Sequence, residues 1–273
     1  MESLHNQLLK IGLDKIRENI TNVSVDSVDL NQWLYYAITT NYVGMVRLLI
    51  ERGADVNFIY EEDSVLHHAI RREFFDVAEL LIKHGANVNV KGSAGDTPIH
   101  CSVGAGNGAF TMFLVHNGAK IDVYDDTGGT PLHYASLYGD RESVVFLIQK
   151  EADINARDYY GKTPMFYATS TNNMEIFALL IDAGSDIQFS DLHGKTLLHY
   201  AALYNSDQVV RALLEKGADI NAVDKYGNTP LHYACYHKNT QKIKLLIDQG
   251  ALTQMKNKEE LCALDYCDDL FFE

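Results

Sequence analysis

The chain has 273 residues, of which 47% are hydrophobic and 22% are charged. Its 23 basic and 37 acidic residues give a formal net charge of −14, which argues against nucleic acid and anionic membranes as partners. Four cysteines without paired spacing favour free thiols in a reducing compartment. We expect an intracellular, cytoplasmic protein, because no apolar run approaches membrane-spanning length and the N-terminus lacks a basic start and an apolar signal stretch.

Residues 1–27 are predicted to form a helix followed by a loop. Leu4, Leu8 and Ile11 recur at helical spacing, and the stretch up to Asn31 is polar. This helix would cover an apolar face of the structure that follows it, or it would dock on a partner.

Residues 28–261 contain a pattern that returns every 33 residues. Thr-Pro-Leu-His-x-Ala begins at Thr130 and again at Thr229, and weaker copies begin at Thr97, Thr163 and Thr196. Earlier copies begin at Ser64 and, one residue out of step, at Gln32. A second marker, Gly-Ala-Asp-Val-Asn and its variants, runs in phase with the first. The period indicates an array of repeated units.

This period and both motifs resemble the ankyrin repeat. The resemblance covers seven copies, and residues 262–273 look like a partial eighth copy or a C-terminal cap. It implies an all-α repeat solenoid, in which helix-turn-helix units are joined by β-hairpin loops. It also implies that the motif histidines hydrogen-bond the neighbouring hairpin. Those histidines are His67, His100, His133, His199 and His232.

The copy that begins at Thr130 shows why each unit should fold this way. Thr130 is placed to cap a helix, and Pro131 suits its first turn. The second helix is predicted to bury Val144, Leu147 and Ile148. Glu151 stands where other copies have glycine, so we expect this helix end to avoid or strain the left-handed conformation.

Three other departures from the pattern concern Trp33, two arginines and a glycine-rich turn. Trp33 is predicted to pack between the N-terminal helix and the first repeat. Arg71 and Arg72 would form a solvated helix end or a local basic site. The glycines between 104 and 108 predict a pliable turn and not a phosphate loop, because no Lys-Ser/Thr follows them.

We predict no catalytic residues, no metal site and no cofactor. Motif histidines lie one repeat apart, and Cys262 and Cys267 lack the remaining ligands of a zinc site. The chain also shows no nucleophile elbow and no His-Glu-x-x-His motif.

The family resemblance implies a partner surface on hairpin tips and on the ends of first helices, along a concave groove. The predicted contacts are Tyr124, Asp125, Asp126, Leu137, Tyr138, Tyr159, Tyr160, Ser170, Thr171, Leu192, His193, Leu203, Tyr204, Lys225, Tyr226, Tyr236 and His237. We expect Tyr138, Tyr204 and Tyr236 to align as a ladder, and Tyr134, Tyr200 and Tyr233 to be core or half-core. The aspartates of the hairpins would make the groove acidic, or they would bond their own turns.

The leading hypothesis is therefore a non-catalytic scaffold or adaptor, acting as a monomer. Its partner would be a protein or peptide with a basic or mixed-charge surface. The alternatives are a regulatory inhibitor that blocks an enzyme or transcription factor, and a host-targeted effector.

Overall fold

The computed structural model of the protein describes residues 30–204 and 207–267. The predicted helix in residues 1–27 and the last six residues of the chain lie outside this range. The chain divides into two compact units, residues 1–126 and 127–273, which are described separately below.

The described residues form seven helix pairs followed by one short 3₁₀ helix. In chain order the α-helices are α1 Leu30–Thr39, α2 Val43–Glu51, α3 Val65–Arg71, α4 Phe75–Lys83, α5 Pro98–Gly104, α6 Gly108–His116, α7 Pro131–Tyr138, α8 Arg141–Gln149, α9 Pro164–Ser170, α10 Met174–Asp182, α11 Leu197–Leu203, α12 Asp207–Glu215, α13 Pro230–Tyr236 and α14 Thr240–Asp248. The 3₁₀ helix spans Ala263–Tyr266, where the repeat pattern had predicted an eighth first helix. The all-α repeat fold is confirmed.

The first helix of most pairs begins with a reciprocal cap. In α7 the Thr130 side chain accepts from the backbone N–H of His133, and Nδ1 of His133 accepts the N–H of Thr130 at 3.1 Å. The same box occurs at Ser64, Thr97, Thr196 and Thr229. In α9 Phe166 replaces the histidine, and the buried hydroxyl of Thr163 has no hydrogen-bond partner within the described part of the chain.

In four repeats the structure shows the other ring nitrogen of the histidine tying the first helix to the next hairpin. Because Nδ1 of His133 already accepts a backbone N–H, its proton lies on Nε2, which donates to the carbonyl of Lys162 at 3.1 Å. His199 and His232 make the equivalent bonds at 3.0 and 3.2 Å, as does His67 in the first unit at 3.3 Å. Burial lowers the pKa of His67, His199 and His232, which favours this neutral form. The role implied by the family resemblance is thus present at these positions.

The hairpin tips of the second unit are joined by backbone hydrogen bonds, which fix their register. Each tip donates one N–H to a carbonyl 32 residues earlier. The pairs are Tyr159 to Thr127, Leu192 to Tyr160, Lys225 to His193 and Lys258 to Tyr226, all at 2.8 or 2.9 Å. Side chains at equivalent tip positions therefore lie in rows.

The predicted helix cores are present with one adjustment. Val144 and Leu147 are fully buried, whereas Ile148 is half-buried and Phe146 takes a buried place beside them. The one hairpin with paired strands among the described residues lies in the first unit, where β1 (Ile59–Tyr60) pairs antiparallel with β2 (Asp63–Ser64). The other tips are turns.

The chain accepts strained backbone where glycine is missing. Glu151 adopts the left-handed conformation, with a φ of 64°, in the place where neighbouring copies have Gly118 and Gly184. Of the two expected outcomes, the helix end therefore adopts the left-handed conformation with strain.

Candidate functional site

Most of the predicted contact residues are exposed. In the second unit these are Tyr138, Tyr159, Tyr160, Thr171, Leu192, His193, Tyr204, Lys225, Tyr226, Tyr236 and His237, whereas Leu137, Ser170 and Leu203 are half-buried. In the first unit Tyr124 and Asp126 are exposed. Asp125 is only 3% exposed, so its prediction as a contact residue was wrong.

Six tyrosines of the second unit place their rings in solvent. They are Tyr138, Tyr159, Tyr160, Tyr204, Tyr226 and Tyr236, with exposed fractions between 44% and 67%, and we call them the tyrosine surface. Three lie at hairpin tips and three at the ends of α7, α11 and α13 or directly after them. Tyrosine combines a large apolar face with a hydroxyl and is enriched at protein interfaces.

Two of the three helix-end tyrosines stack on the tyrosine one turn earlier in the chain, and the alignment of all three as a ladder stays a prediction. Tyr138 stacks on Tyr134 with ring centroids 6.2 Å apart, and Tyr204 stacks on Tyr200 at 6.0 Å. Tyr236 instead meets Tyr266 edge-to-face at 5.9 Å. It comes 32 residues after Tyr204, and this one-residue offset turns its ring to the last repeat.

The hairpin aspartates of the second unit do not form an acidic surface. Asp158, Asp191 and Asp224 are each 5% exposed. In Asp191, Oδ1 accepts the N–H groups of His193 and Lys195 at 2.8 and 2.9 Å. The alternative that these aspartates bond their own turns is confirmed, and the predicted acidic groove is corrected.

The remaining oxygen of each aspartate accepts a tyrosine hydroxyl. Tyr200 donates to Oδ2 of Asp191 at 2.8 Å, and Tyr167 and Tyr233 donate to Asp158 and Asp224 at 2.5 and 2.7 Å. Burial, together with the accepting carboxylate, raises the pKa of all three tyrosines. Tyr200 is buried, while Tyr134 and Tyr233 are half-buried, as expected. The hydroxyls of Tyr167, Tyr200 and Tyr233 are hydrogen-bonded within the fold and are not available to a partner.

Two lysines that the sequence analysis did not single out complete this layer. Nζ of Lys162 lies 5.0 Å from the ring centre of Tyr200 and 5.7 Å from that of Tyr167, and Nζ of Lys195 lies 4.5 Å from that of Tyr233. Both lysines directly precede the capping threonine of their repeat. That position is visible in the sequence, but nothing in it shows that the side chains turn over the rings.

Comparison with known protein families agrees with the repeat architecture. Two family models match, one described as ankyrin repeats (3 copies) over residues 5–92 and 66–158, and one as ankyrin repeats (many copies) over residues 142–181 and 198–247. Together these matches cover well over half of the chain. The chain belongs to the ankyrin-repeat family. A search of curated proteins found no significant match.

Ankyrin-repeat proteins are in general protein–protein interaction modules, and they are typically non-catalytic. In this ankyrin-repeat protein, none of the helices within residues 30–204 and 207–267 is long and apolar enough to cross a membrane. All four cysteines are free thiols.

The first unit of this ankyrin-repeat protein holds a polar cluster around Arg71. Its guanidinium pairs with Asp63 and, at 2.8 Å, with Oδ2 of Asp96. Oδ1 of Asp63 also accepts the N–H of Ser93 at 3.1 Å. Arg71 is therefore not a free basic site, because it joins carboxylates from two hairpins. Arg71 and Arg72 are both exposed, which agrees with the alternative of a solvated helix end.

The same cluster contains the one set of potential metal ligands found among the described residues. Donor atoms of His67, Asp96 and Cys101 all lie within 4.8 Å of one another. Burial, with the Asp96 carboxylate next, raises the pKa of the Cys101 thiol, whereas a metal requires the thiolate. The guanidinium of Arg71 pairs with Oδ2 of Asp96, so the cluster already contains a cation from the chain itself.

Proposed function

We propose that this ankyrin-repeat protein is a non-catalytic scaffold or adaptor that binds a protein or peptide across the tyrosine surface. The observation that carries the proposal is the exposure of six tyrosine rings in one unit, on hairpin tips and helix ends. Bonds between tips fix the backbone register of Tyr159, Tyr160 and Tyr226, so binding at the tips does not have to order their backbone.

The partner surface should be basic or mixed in charge. The chain carries a formal charge of −14, and tyrosine faces of the second unit already accept ammonium groups from Lys162 and Lys195. A cationic partner would be attracted over long range and would find aromatic faces at the surface. The association rate should therefore fall as salt rises from low to physiological concentration, and an unchanged rate would remove charge from the account.

Affinity capture with matched variants tests the proposal. Tyr160→Ala with Tyr226→Ala removes two rings that are each 57% exposed and leaves the tip backbone bonds in place. Gln208→Ala with Gln241→Ala makes the control change at exposed positions of α12 and α14. We expect the wild type and the control to retain a partner that the tyrosine variant loses. The melting temperature of the tyrosine variant should equal that of the wild type. Retention by the tyrosine variant would contradict the proposal.

A further inference from the structure

The residue before the capping threonine changes along the second unit. In successive repeats it is Gly129, Lys162, Lys195 and Asn228. Where it is lysine, its ammonium lies over tyrosine rings that project from first helices, at 4.5 to 5.7 Å from the ring centres. These distances lie within the roughly 6 Å range of a cation–π interaction. We call the space over these rings the ammonium slot of a repeat.

The slot at Asn228 has the same frame as the slots that hold lysine. In the Lys162 slot Phe166 meets Tyr200 edge-to-face at 5.3 Å, and in the Lys195 slot His199 meets Tyr233 at 5.7 Å. His232 meets Tyr266 in the same way at 6.2 Å. The walls of the last slot are therefore Tyr233 and Tyr266, and the residue that would supply the ammonium is Asn228.

A cavity opens at this last slot. It has a volume of about 250 Å³ and is lined by Asn228, His232, Tyr233, Tyr236, Glu259 and Tyr266. A second, smaller cavity of about 70 Å³ lies beside Gly129, the other repeat without a lysine. The larger volume is below the roughly 300–1,000 Å³ typical of small-molecule sites, so it suits a single side chain.

The last slot also differs from the others in where its carboxylate lies. Asn257 replaces the hairpin aspartate and donates to the hydroxyl oxygen of Tyr266 at 2.9 Å. That hydroxyl donates in turn to Oε2 of Glu259 at 3.4 Å. Glu259 is exposed and lines the cavity, whereas the aspartates of the earlier repeats are buried. A carboxylate is thus available beside three tyrosine rings.

We propose that the cavity at Asn228 binds the ammonium group of a lysine side chain from the partner protein. The inference rests on the proposed function, since it places a partner's lysine at one end of the tyrosine surface. The ring faces of Tyr233 and Tyr266 attract the cation as they do in the filled slots, and Glu259 supplies the opposite charge. The aromatic walls contact the apolar stem of the lysine.

Titration with a single capped amino acid tests this pocket without any protein partner. The probe is Nα-acetyl-lysine N-methylamide, followed by proton NMR. We expect a saturable upfield shift of its ε-methylene protons, because they would lie over aromatic rings. The capped norleucine analogue has the same stem without the charge, and it should show no saturable shift. An equal shift for norleucine would overturn the proposal, and so would a capped arginine that binds as tightly as lysine.

Asn228→Lys is the decisive variant. The chain already has lysine at this position in two repeats, so the substitution should fold and should fill the slot with an internal ammonium. We expect at least a tenfold loss of affinity for the lysine probe. Gln241→Lys, at an exposed position of α14, makes the same change in charge and should keep the affinity within twofold. Unchanged binding by Asn228→Lys would overturn the proposal.

The two proposals can fail separately. If the probe does not bind but the Tyr160/Tyr226 variant still loses its partner, the lysine pocket is wrong and the tyrosine surface stands. If the probe binds and capture is insensitive to the tyrosines, the pocket stands and the wider surface is wrong.

Discussion

One hairpin of the first unit secures its turn differently from the hairpins of the second unit. In the second unit a hairpin aspartate accepts N–H groups from its own turn and a hydroxyl from a tyrosine nine residues later, as Asp191 does with Tyr200. In the hairpin before α5, in the first unit, the equivalent position is Gly92, and Asp63 of the preceding hairpin reaches the turn and bonds Ser93. Arg71 then holds Asp63 and Asp96 together.

This difference bears on the proposed binding surface. In the second unit every first helix contains a tyrosine that is buried or half-buried, and further tyrosines nearby are exposed to solvent. In the first unit Arg71, Asp63 and Asp96 instead pair with one another. A side chain at Gly92 would collide with the carboxylates of Asp63 and Asp96, so glycine is required for this geometry rather than for its backbone angles.

Arg71→Met should give the largest effect on stability. It leaves two mostly buried carboxylates without their cation, since the side chains of Asp63 and Asp96 are only 8% and 16% exposed. We expect a loss of about 2–3 kcal/mol in the free energy of unfolding. This is below the roughly 3–5 kcal/mol of a fully buried pair, because 38% of the Arg71 side chain is exposed. Arg72→Met is the control, and an equal loss in both variants would contradict the ionic account.

Tyr200→Phe should have a smaller effect in the second unit. It removes the donor to Oδ2 of Asp191 and keeps the ring, so we expect a loss of about 1–2 kcal/mol by denaturant unfolding. Tyr204→Phe is the control, because Tyr204 stacks on Tyr200 but is 44% exposed. It should change the free energy of unfolding by less than about 0.5 kcal/mol. Equal effects would mean that the hydroxyl-aspartate bond does not support the turn.

The pH dependence of stability should separate the two arrangements. Burial alone would raise the pKa of Asp63 and of Asp96. Hydrogen bonds from Arg71 and Ser93 outweigh burial at Asp63, and hydrogen bonds from Cys101 and Arg71 outweigh it at Asp96. Both pKa values therefore lie below the ordinary range. Their contribution is therefore present above about pH 4 and is lost as pH falls further. The buried histidines, whose pKa values are lowered, add a loss that begins below about pH 6.5.

On the alkaline side the contribution comes from tyrosine. Tyr167, Tyr200 and Tyr233 have raised pKa values, so the unfolded chain loses their protons first and stability falls as pH rises above about 10. Arg71→Met removes the cation that lowers the two aspartate pKa values, so less stability should be lost as pH falls below about 4. Tyr200→Phe removes one of the three raised tyrosine pKa values, so slightly less stability should be lost as pH rises above about 10. Thermal unfolding measured across pH checks both slopes, and the reverse assignment of the two variants would contradict the comparison.

The sequence was sufficient where structure depends on the repeat period. The caps at Thr130 and Thr229 and the exposure of the tyrosines follow from local pattern, and the histidine bonds were implied by the family resemblance. The bonds from tyrosine hydroxyls to the hairpin aspartates were not predicted. Asp158 and Tyr167 share the nine-residue spacing of Asp191 and Tyr200, but spacing does not give the direction of a side chain. The pairing of Arg71 with Asp96 joins residues 25 apart and depends on how two repeats stack.

Site-specific cross-linking tests the central claim most directly. A benzoylphenylalanine at position 226 replaces a tyrosine that is 57% exposed on the tyrosine surface. The same group at position 244 lies on an exposed face of α14. After irradiation in cells, the account predicts a discrete covalent adduct with a partner protein from position 226 and none from position 244. An adduct from position 244 alone would place the binding surface on the second helices and contradict the account.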